Sequence, residues 1–527
     1  MNILFAEGSQ CSCTQLPDET VKDLGLDDII VRIALGIYDK ATLRAIMIQL
    51  PDDPEDIKFR QEIFSDMEKN EGLREDLEEI LPKIQTMRDF AGAKRAVRDN
   101  DNALFTLLSD LRSLSVYVET ARYLNDHLDK YDLKSRALLA LKAQVKELTT
   151  AKEFAEAEED IKIILEDLSK VQSALISVNF NPDLSISEVS AIEFLPYPTR
   201  SKYKFVQMAA LLGPIVQAGQ GAQALSRNFG GNGGKLDDPL LAAIAPKLEK
   251  HLKKHFSDIK QILSKYTKMD SRFLTEMYEG LTFYVALSRF AASLKKADYV
   301  LCMPKIFEDE NRSFAVKELY NLRLAILKKQ DIVKNDFSFS KKENMFILTG
   351  PNRGGKTIIE QAIGQVSIMA SMGFFVTATS CEGIPFRNIL THFPIDENLT
   401  MNYGRLGEEA KRVLSIVQKA DDRTLVLFNE TYSTTSESDA YYLSEDLLHI
   451  LKEKGAAVIF NTHIHALAKN VEDMNKWDGE SSVVSIVMEI VDNVNTFRLK
   501  RSPPDTTSYA KNIALKYGVT YEQMKQK

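Results

Sequence analysis

The sequence is short of several things, and each shortage excludes something. Only four of its 527 residues are cysteine, and Cys11 and Cys13 form a lone C-x-C with no second pair at zinc spacing. A disulfide framework is therefore ruled out, and the pair reads as two plain thiols of a reducing cytoplasm. Long apolar runs are missing too. The stretch from Phe205 to Gly219 carries glutamines and a proline and falls short of the roughly 20 residues a membrane span needs. The opening MNILFAEGSQ has no basic stretch and no long apolar one, so no secretory signal is readable. Basic excess is also absent: 67 Lys and Arg stand against 75 Asp and Glu, a net charge of −8. That argues against coating nucleic acid through bulk charge, because phosphate contacts need cations facing the backbone. A local basic surface on an acidic body stays open. No internal repeat is visible.

What is present is ordinary for a globular chain, 44% hydrophobic and 27% charged. Its length is too great for one core and suggests roughly three to four units at about 150 residues each. From Leu16 to about Val178 the texture is helical, with few glycines and apolar residues three and four apart. Leu133 to Val171 reads as one long amphipathic pattern, and its acids Glu153, Glu156, Glu158, Glu159 and Asp160 read as a solvated face. Between Ser177 and Tyr203, prolines and the alternation in SISEVSAIEF predict short strands or an irregular insert. Asn228 to Pro239 is a Gly/Asn loop. A second helical region follows, basic at its start with Lys247, Lys250, Lys253, Lys254, Lys260, Lys265 and Lys268. Two helices of opposite charge bias around an insert suggest an antiparallel arm. The lysines then have two readings, attraction to the acidic helix or contact with DNA.

From about Asp331 the runs MFILT, FFVTAT, TLVLF and AAVIF alternate with helical stretches, the pattern of a parallel sheet flanked by helices. Near the end, SSVVSIVMEI and TFRLKR around VDNVN predict a hairpin, and a last helix is expected around Tyr509 to Tyr517. The first of these strands runs into Gly350-Pro351-Asn352-Arg353-Gly354-Gly355-Lys356-Thr357, followed by a helical run. This is G-x-x-x-x-G-K-[ST] with a strand before it and a helix after it, the setting in which the motif binds phosphate. Glycines let backbone N–H groups curl around phosphate oxygens, and the helix N-terminus adds partial positive charge. Lys356 would neutralise the β- and γ-phosphates of ATP, and Thr357 would offer its hydroxyl to Mg²⁺. Downstream, the apolar strand Thr424 to Phe428 ends in Asn429-Glu430, where Glu430 is placed to polarise a water for attack on the γ-phosphate. Asn429 can bond a metal-bound water but brings no charge, so Mg²⁺ would be held more weakly than by aspartate. A further strand ends in Asn461-Thr462-His463, and His463 lies on the side of such a sheet where ligands bind.

The loop from Gly350 to Thr357 resembles the G-P-N-x-G-G-K-[ST] loop of the MutS family of mismatch-repair ATPases. Val333-Lys334-Asn335-Asp336 is similar to the family's V-x-N-D segment near the base, Arg423 to Glu430 to the strand leading to its catalytic carboxylate, and Asn461-Thr462-His463 to its T-H switch. Ser508-Tyr509-Ala510 through Tyr517-Gly518-Val519 resembles the closing segment. Asp56 to Glu62 and Gly280 to Ile306 resemble parts of the helical lever. The resemblance implies a mixed fold: an N-terminal all-α lever or core domain with long helical arms, then a C-terminal α/β P-loop (ABC-type) ATPase domain. The corresponding limits are 1–132, 133–300 (with a short insert near 177–239 in the clamp position) and 301–527. It also implies a cytoplasmic ATPase using ATP and Mg²⁺, a homodimer through the ATPase domain, DNA and a DNA-repair protein as partners, and no membrane.

Departures from the family pattern shape that expectation. Asn429-Glu430 stands where the family has Asp-Glu, and Tyr432 to Glu437 replaces G-R-G-T-S-T, the segment that reaches the partner's ATP. Ser433, Thr435 and Ser436 keep hydroxyls there. The mismatch-recognition and connector domains have no room before the lever, and no nuclease-like domain follows, so the expected protein is mismatch-blind. Phe5-Ala6-Glu7 spells the family's F-x-E wedge without its domain, a coincidence. The rival expectation is an ATP-binding scaffold with negligible hydrolysis that works through protein partners. A small-molecule kinase would need an acceptor pocket that the helical half does not suggest.

Overall fold

The computed structural model describes residues 2–96, 103–170, 172–183, 186–198, 250, 253–266, 269, 271–307, 312–328, 332–394, 404–491, 494–503 and 521–525. The Gly/Asn loop 228–239, Lys247, Lys268 and the closing segment 508–519 lie outside them. The chain forms two compact units: Met1–Asn2 with Asn70–Leu281, and Ile3–Lys69 with Thr282–Lys527.

The second unit starts with a small pair of antiparallel strands, β1 (Cys13–Gln15) and β2 (Gln49–Pro51). Between them lie three short helices. Leu26–Ala34 buries Leu26, Ile29, Ile30 and Ile33, one face at helical spacing. Lys40–Met47 starts at Asp39, whose carboxylate accepts from the N–H groups of Ala41 and Thr42. The helix Pro54–Lys69 follows, with Phe64 fully buried among Phe283, Tyr284, Phe374 and Phe375. The F-x-E triplet is held against this helix: Arg60 stands over the Phe5 ring, and Asp56 accepts from the Ala6 N–H and the Ser9 hydroxyl.

The first unit is mainly helical, with helices Glu71–Ala96, Ala103–Leu128, Arg136–Thr150, Lys152–Leu168 and Lys253–Lys265, and a hairpin of β3 (Ser173–Phe180) and β4 (Ile186–Leu195). The expected continuous helix over Leu133–Val171 is broken at Ala151, which is extended at ψ 140°. Thr149 and Thr150 turn their hydroxyls back onto carbonyls of the preceding turn, among them Val145 and Lys146. Such bonds compete with helix continuation in β-branched residues. The acidic face is more than solvated: Lys265 pairs with Glu156 and Asp160, both at 3.0 Å, and Arg122 pairs with Glu158 at 2.7 Å. For Lys265, then, attraction to the acidic helix accounts for the charge. Lys250 is exposed, and Lys253 and Lys254 open the helix Lys253–Lys265. A cavity of about 710 Å³ is lined by Lys83, Arg122, Tyr123 and Glu158, among others. Within it Arg122 pairs with Glu158, and the Lys83 ammonium lies over the Tyr123 ring.

The rest of the second unit is α/β. Its four-stranded sheet runs in the order β5 (Lys305–Ile306), β9 (Ser380–Gly383), β6 (Phe314–Leu319), β7 (Asn335–Phe339). The main sheet has six strands in the order β10 (Asn388–His392), β11 (Thr424–Asn429), β12 (Ala457–Asn461), β8 (Glu343–Thr349), β13 (Ser482–Val491), β14 (Val494–Arg501). All neighbours in it are parallel except β13 and β14, the predicted hairpin. FFVTAT is not a strand. Phe374 and Phe375 pack on Phe64, Val376 makes a single bridge to Cys302, and the Thr377 hydroxyl donates to the Tyr320 carbonyl.

Alternation along the central strands sends side chains to both faces of the sheet. Met345, Ile347, Val426, Phe428, Val458 and Phe460 build one core with the helices Gly404–Lys419 and Glu437–Glu453. On the other side the helix Lys356–Ser371 is buried along nearly its whole length, as befits a helix covered on several sides. At Gly364 an added Cβ would meet Leu24 at 2.8 Å and Leu427 at 2.9 Å, so the missing side chain lets this helix lie between sheet and N-terminal segment. Gln361 and Gln365 then donate to the carbonyls of Asp23 and Leu24.

Candidate functional site

The parallel strands β8, β11 and β12 end at one edge of the sheet, where each hands over to a loop bearing the polar groups singled out above. After β8 the chain turns at Gly350 and Arg353, both at positive φ, and enters the helix Lys356–Ser371 through Gly355 at φ 90°. The Gly354 N–H closes the turn on the Pro351 carbonyl. Gly355 is needed twice, because its φ suits only glycine without strain and a Cβ would lie 3.0 Å from the Phe497 ring. Pro351 is buried, while Asn352 and Arg353 are exposed at the turn's tip.

Lys356 is buried, and its ammonium donates to the carbonyls of Gly350 at 3.0 Å and Pro351 at 3.2 Å. Burial pushes its pKa down, opposed by Glu430 and Glu360. A desolvated cation at the mouth of a helix N-terminus is a site built for an anion. Thr357 follows on the first helical turn, its hydroxyl 3.5 Å from Oδ1 of Asn429 at the end of β11. Those two oxygens face each other, the donor chemistry that magnesium takes. The residues therefore fit both a nucleotide phosphate chain and its divalent ion.

Glu430 comes next, at φ 54°, with its N–H on the Asn461 carbonyl at 2.8 Å. Non-glycine residues at positive φ cost energy and gather at functional sites; Tyr432, at φ 63°, is another. Nε2 of His463 lies 2.8 Å from Oε1 of Glu430, and this hydrogen bond holds the carboxyl below its usual range. Glu430, Lys356 and His463 thus share one edge. Ser433 is exposed, Thr435 half-buried, and Ser436 caps the helix Glu437–Glu453 by accepting from the Asp439 N–H. Val333 is partly exposed just ahead of β7, where Asn335 accepts from the Leu499 N–H and donates to the Phe497 carbonyl. This fixes Phe497, at φ 58°, with its half-exposed ring beside Gly355.

Sequence reading left three site groups unnamed. Phe497 lacked any motif. Glu360, fully buried one turn after Thr357, accepts from the Asn461 amide at 3.3 Å, and burial pushes its pKa well above the carboxylate range. His392, at the end of β10 and paired in register with Phe428, has Nδ1 2.9 Å from the Thr431 hydroxyl, in the loop after Glu430. Glu360 sits in an otherwise helical run, and no local pattern marks its carboxyl as buried.

Burial lowers the His392 pKa from 6.5 to about 4, with Arg412 adding to the effect. The unfolded chain takes up that proton near pH 6.5 and the folded one only near 4. Between these values the unfolded state binds more protons, so stability falls as pH drops through this window, by on the order of 3 kcal/mol in all. Urea unfolding of the parent between pH 7 and pH 4 should show this slope, and His392→Gln should flatten it. A slope unchanged in His392→Gln would assign acid sensitivity to other groups.

Comparison with known proteins agrees with this geometry. Residues 346–521 match the family model for MutS domain V. Endonuclease MutS2 of Caldicellulosiruptor bescii is 28% identical over 164 residues, 31% of this chain and 21% of that protein. DNA mismatch repair protein spellchecker 1 of Drosophila melanogaster is 26% identical over 204 residues, 38% of this chain and 22% of that protein. Endonuclease MutS2 of Staphylococcus haemolyticus is 27% identical over 210 residues, 38% and 26% respectively. The chain thus spans about a fifth to a quarter of the length of the curated relatives it matches. The phosphate loop, the carboxylate after β11 and the histidine after β12 all lie inside the segment of this chain that is similar to MutS domain V.

Proposed function

We propose that this protein is a mismatch-blind MutS-type ATPase that acts on DNA in repair or recombination as an ATP-gated homodimer. The observation that carries the reading is the buried Lys356 ammonium at the start of a helix, held by the carbonyls of its own glycine loop. A phosphate chain entering the loop would meet N–H groups, the helix dipole and this cation together. The Phe497 ring beside Gly355 offers a flat apolar surface for the base. Magnesium would be held by the Thr357 hydroxyl and the Asn429 oxygen, and would neutralise charge on the phosphates. Glu430 is the candidate to orient and deprotonate the attacking water, and His463, bonded to it, to respond to the γ-phosphate.

In this reading the two copies meet at their ATPase units, with Ser433 and Thr435, and Ser436 beside them, turned to the partner's nucleotide. Contacts made only while the γ-phosphate is present would favour the closed pair and be lost on hydrolysis. Residues 1–132 and 133–300 would serve as lever and arm, and Lys247, Lys250, Lys253 and Lys254 as phosphate contacts to DNA. The cell compartment in this reading is the cytoplasm.

Titration calorimetry with ADP on the full chain tests the site. Lys356→Met should weaken binding by at least about 30-fold, since removing one member of a buried charge pair costs about 2–5 kcal/mol. Equal affinity in parent and variant would reject the cradle as the binding site. A second reading is favoured by one observation: Asn429 supplies an amide where a carboxylate would hold the metal more firmly. It makes the chain a nucleotide-gated scaffold for protein partners, with negligible turnover.

A further inference from the structure

An asparagine in place of aspartate at the end of β11 creates an orientation problem that a carboxylate does not have. Both ends of a carboxylate are oxygen. An amide has oxygen at one end and two N–H donors at the other, and only the oxygen can accept from Thr357 or face a cation or its water. With the amide reversed, positively polarised hydrogens would point at the divalent ion. Something must hold it the right way round.

Asn461 is the register partner of Asn429 on the neighbouring parallel strand β12. Its amide nitrogen donates to Oδ1 of Asn429 at 2.6 Å and to Oε2 of Glu360 at 3.3 Å. Glu360 is completely buried on the helix that begins with Lys356, and its other oxygen, Oε1, has no hydrogen-bond partner among the described residues. Ionised, a carboxyl has only acceptor oxygens; neutral, it also carries one O–H, which the unpaired Oε1 can hold, leaving Oε2 to accept. Accepting at Oε2, Glu360 turns the donor end of the Asn461 amide inward. That donor in turn tolerates only the oxygen of Asn429, the same oxygen that lies 3.5 Å from the Thr357 hydroxyl. The sequence acceptor, donor, acceptor runs from Glu360 through Asn461 to Asn429 with one polarity.

We infer that Glu360 and Asn461 are positioning residues that lock the Asn429 amide with its oxygen toward Thr357, allowing a metal-bound nucleotide to be held without an aspartate. The inference rests on the nucleotide site proposed above. Groups behind a metal's direct ligands commonly change affinity 10–100-fold when removed, which sets the size of the effect.

The test is a double-mutant cycle read by electron paramagnetic resonance of Mn²⁺ titrated into ADP-loaded full-length protein. Asn461→Ala should weaken Mn²⁺ binding about 10–100-fold in the parent. In an Asn429→Asp background, where both ends of the side chain are oxygen, the same substitution should have no effect. Glu360→Met, of similar volume, should follow the same pattern with a smaller loss, and answers the question if Asn461→Ala does not fold. Equal losses in both backgrounds would mark a merely structural contact and overturn the inference, as would no loss in either. Metal-free ADP binding separates the two levels. A parent that takes up no ADP rejects the nucleotide site itself. A parent that takes it up, but whose Mn²⁺ affinity is untouched by Asn461→Ala and Glu360→Met, rejects only the relay.

Discussion

Replacing Glu430 with glutamine should slow ATP hydrolysis by about two to four orders of magnitude, the range that a positioned general base contributes. Glutamine keeps the length of the side chain and leaves a carbonyl oxygen to accept from His463, so the 2.8 Å contact can survive while the charge does not. The hydrogen bond that lowers the Glu430 pKa also keeps it ionised at neutral pH, ready to take a proton. Its backbone, at φ 54°, is anchored by the N–H bond to Asn461, and the substitution leaves that untouched. Nucleotide affinity should therefore change little, and the variant should accumulate in the ATP-bound form. Steady-state phosphate release, with and without DNA, is the measurement. Release at the parent rate would remove Glu430 as the base. No release by the parent under either condition would favour the scaffold reading over the enzyme.

Truncating Phe64 to alanine should destabilise the protein by about 3–5 kcal/mol, the usual cost of emptying a fully buried phenylalanine site. The ring touches Phe283, Tyr284, Phe374 and Phe375, with centroids 5.7, 4.9, 5.1 and 6.5 Å away, all edge-on. Such pairs add about 0.5–1.5 kcal/mol beyond area burial, and none of the four partners can easily move into the gap, since each is buried itself. Urea unfolding followed by circular dichroism should show an earlier midpoint. A loss below about 1 kcal/mol would mean that the cluster relaxes freely and that the N-terminal segment is a loose attachment to its unit.

Much of the α/β architecture was legible because it is written locally. MFILT, TLVLF and AAVIF are short apolar runs bounded by turn residues, and they are the strands β8, β11 and β12 at the centre of the sheet. The phosphate loop was legible for the same reason, since its glycines are needed by the backbone path itself. FFVTAT has the same composition as a strand and is not one, because its two phenylalanines are claimed by Phe64 some 310 residues earlier in the chain. The short edge strand Asn388–His392 offers only five residues, too little pattern to stand out in the sequence. The break at Ala151 hides behind a periodicity that continues on both sides of it.

The site divides in the same way. Lys356, Thr357, Asn429, Glu430 and His463 follow strands or glycines that can be read one segment at a time. Glu360, Asn461 and His392 matter through what lies beside them across the sheet, and a neighbour in register is invisible from either strand alone. A buried carboxyl on a helix that also carries Gln361 and Gln365 looks in sequence like any solvent-facing glutamate. Phe497 owes its place to Asn335, 162 residues away. Such pairings are fixed only when the sheet assembles.

The second unit is made of two stretches of chain, Ile3–Lys69 and Thr282–Lys527. The chain leaves it near where it returns: Met67 accepts from the Ser288 hydroxyl at 3.3 Å, and Phe64 lies against Phe283. Everything between is a nested excursion, which makes the molecule a candidate for excision. A gene fusion joining Lys69 to Thr282 through a few flexible residues would yield a minimal α/β module with its aromatic cluster intact. A fragment begun at Thr282 would instead lack one wall of its own interior.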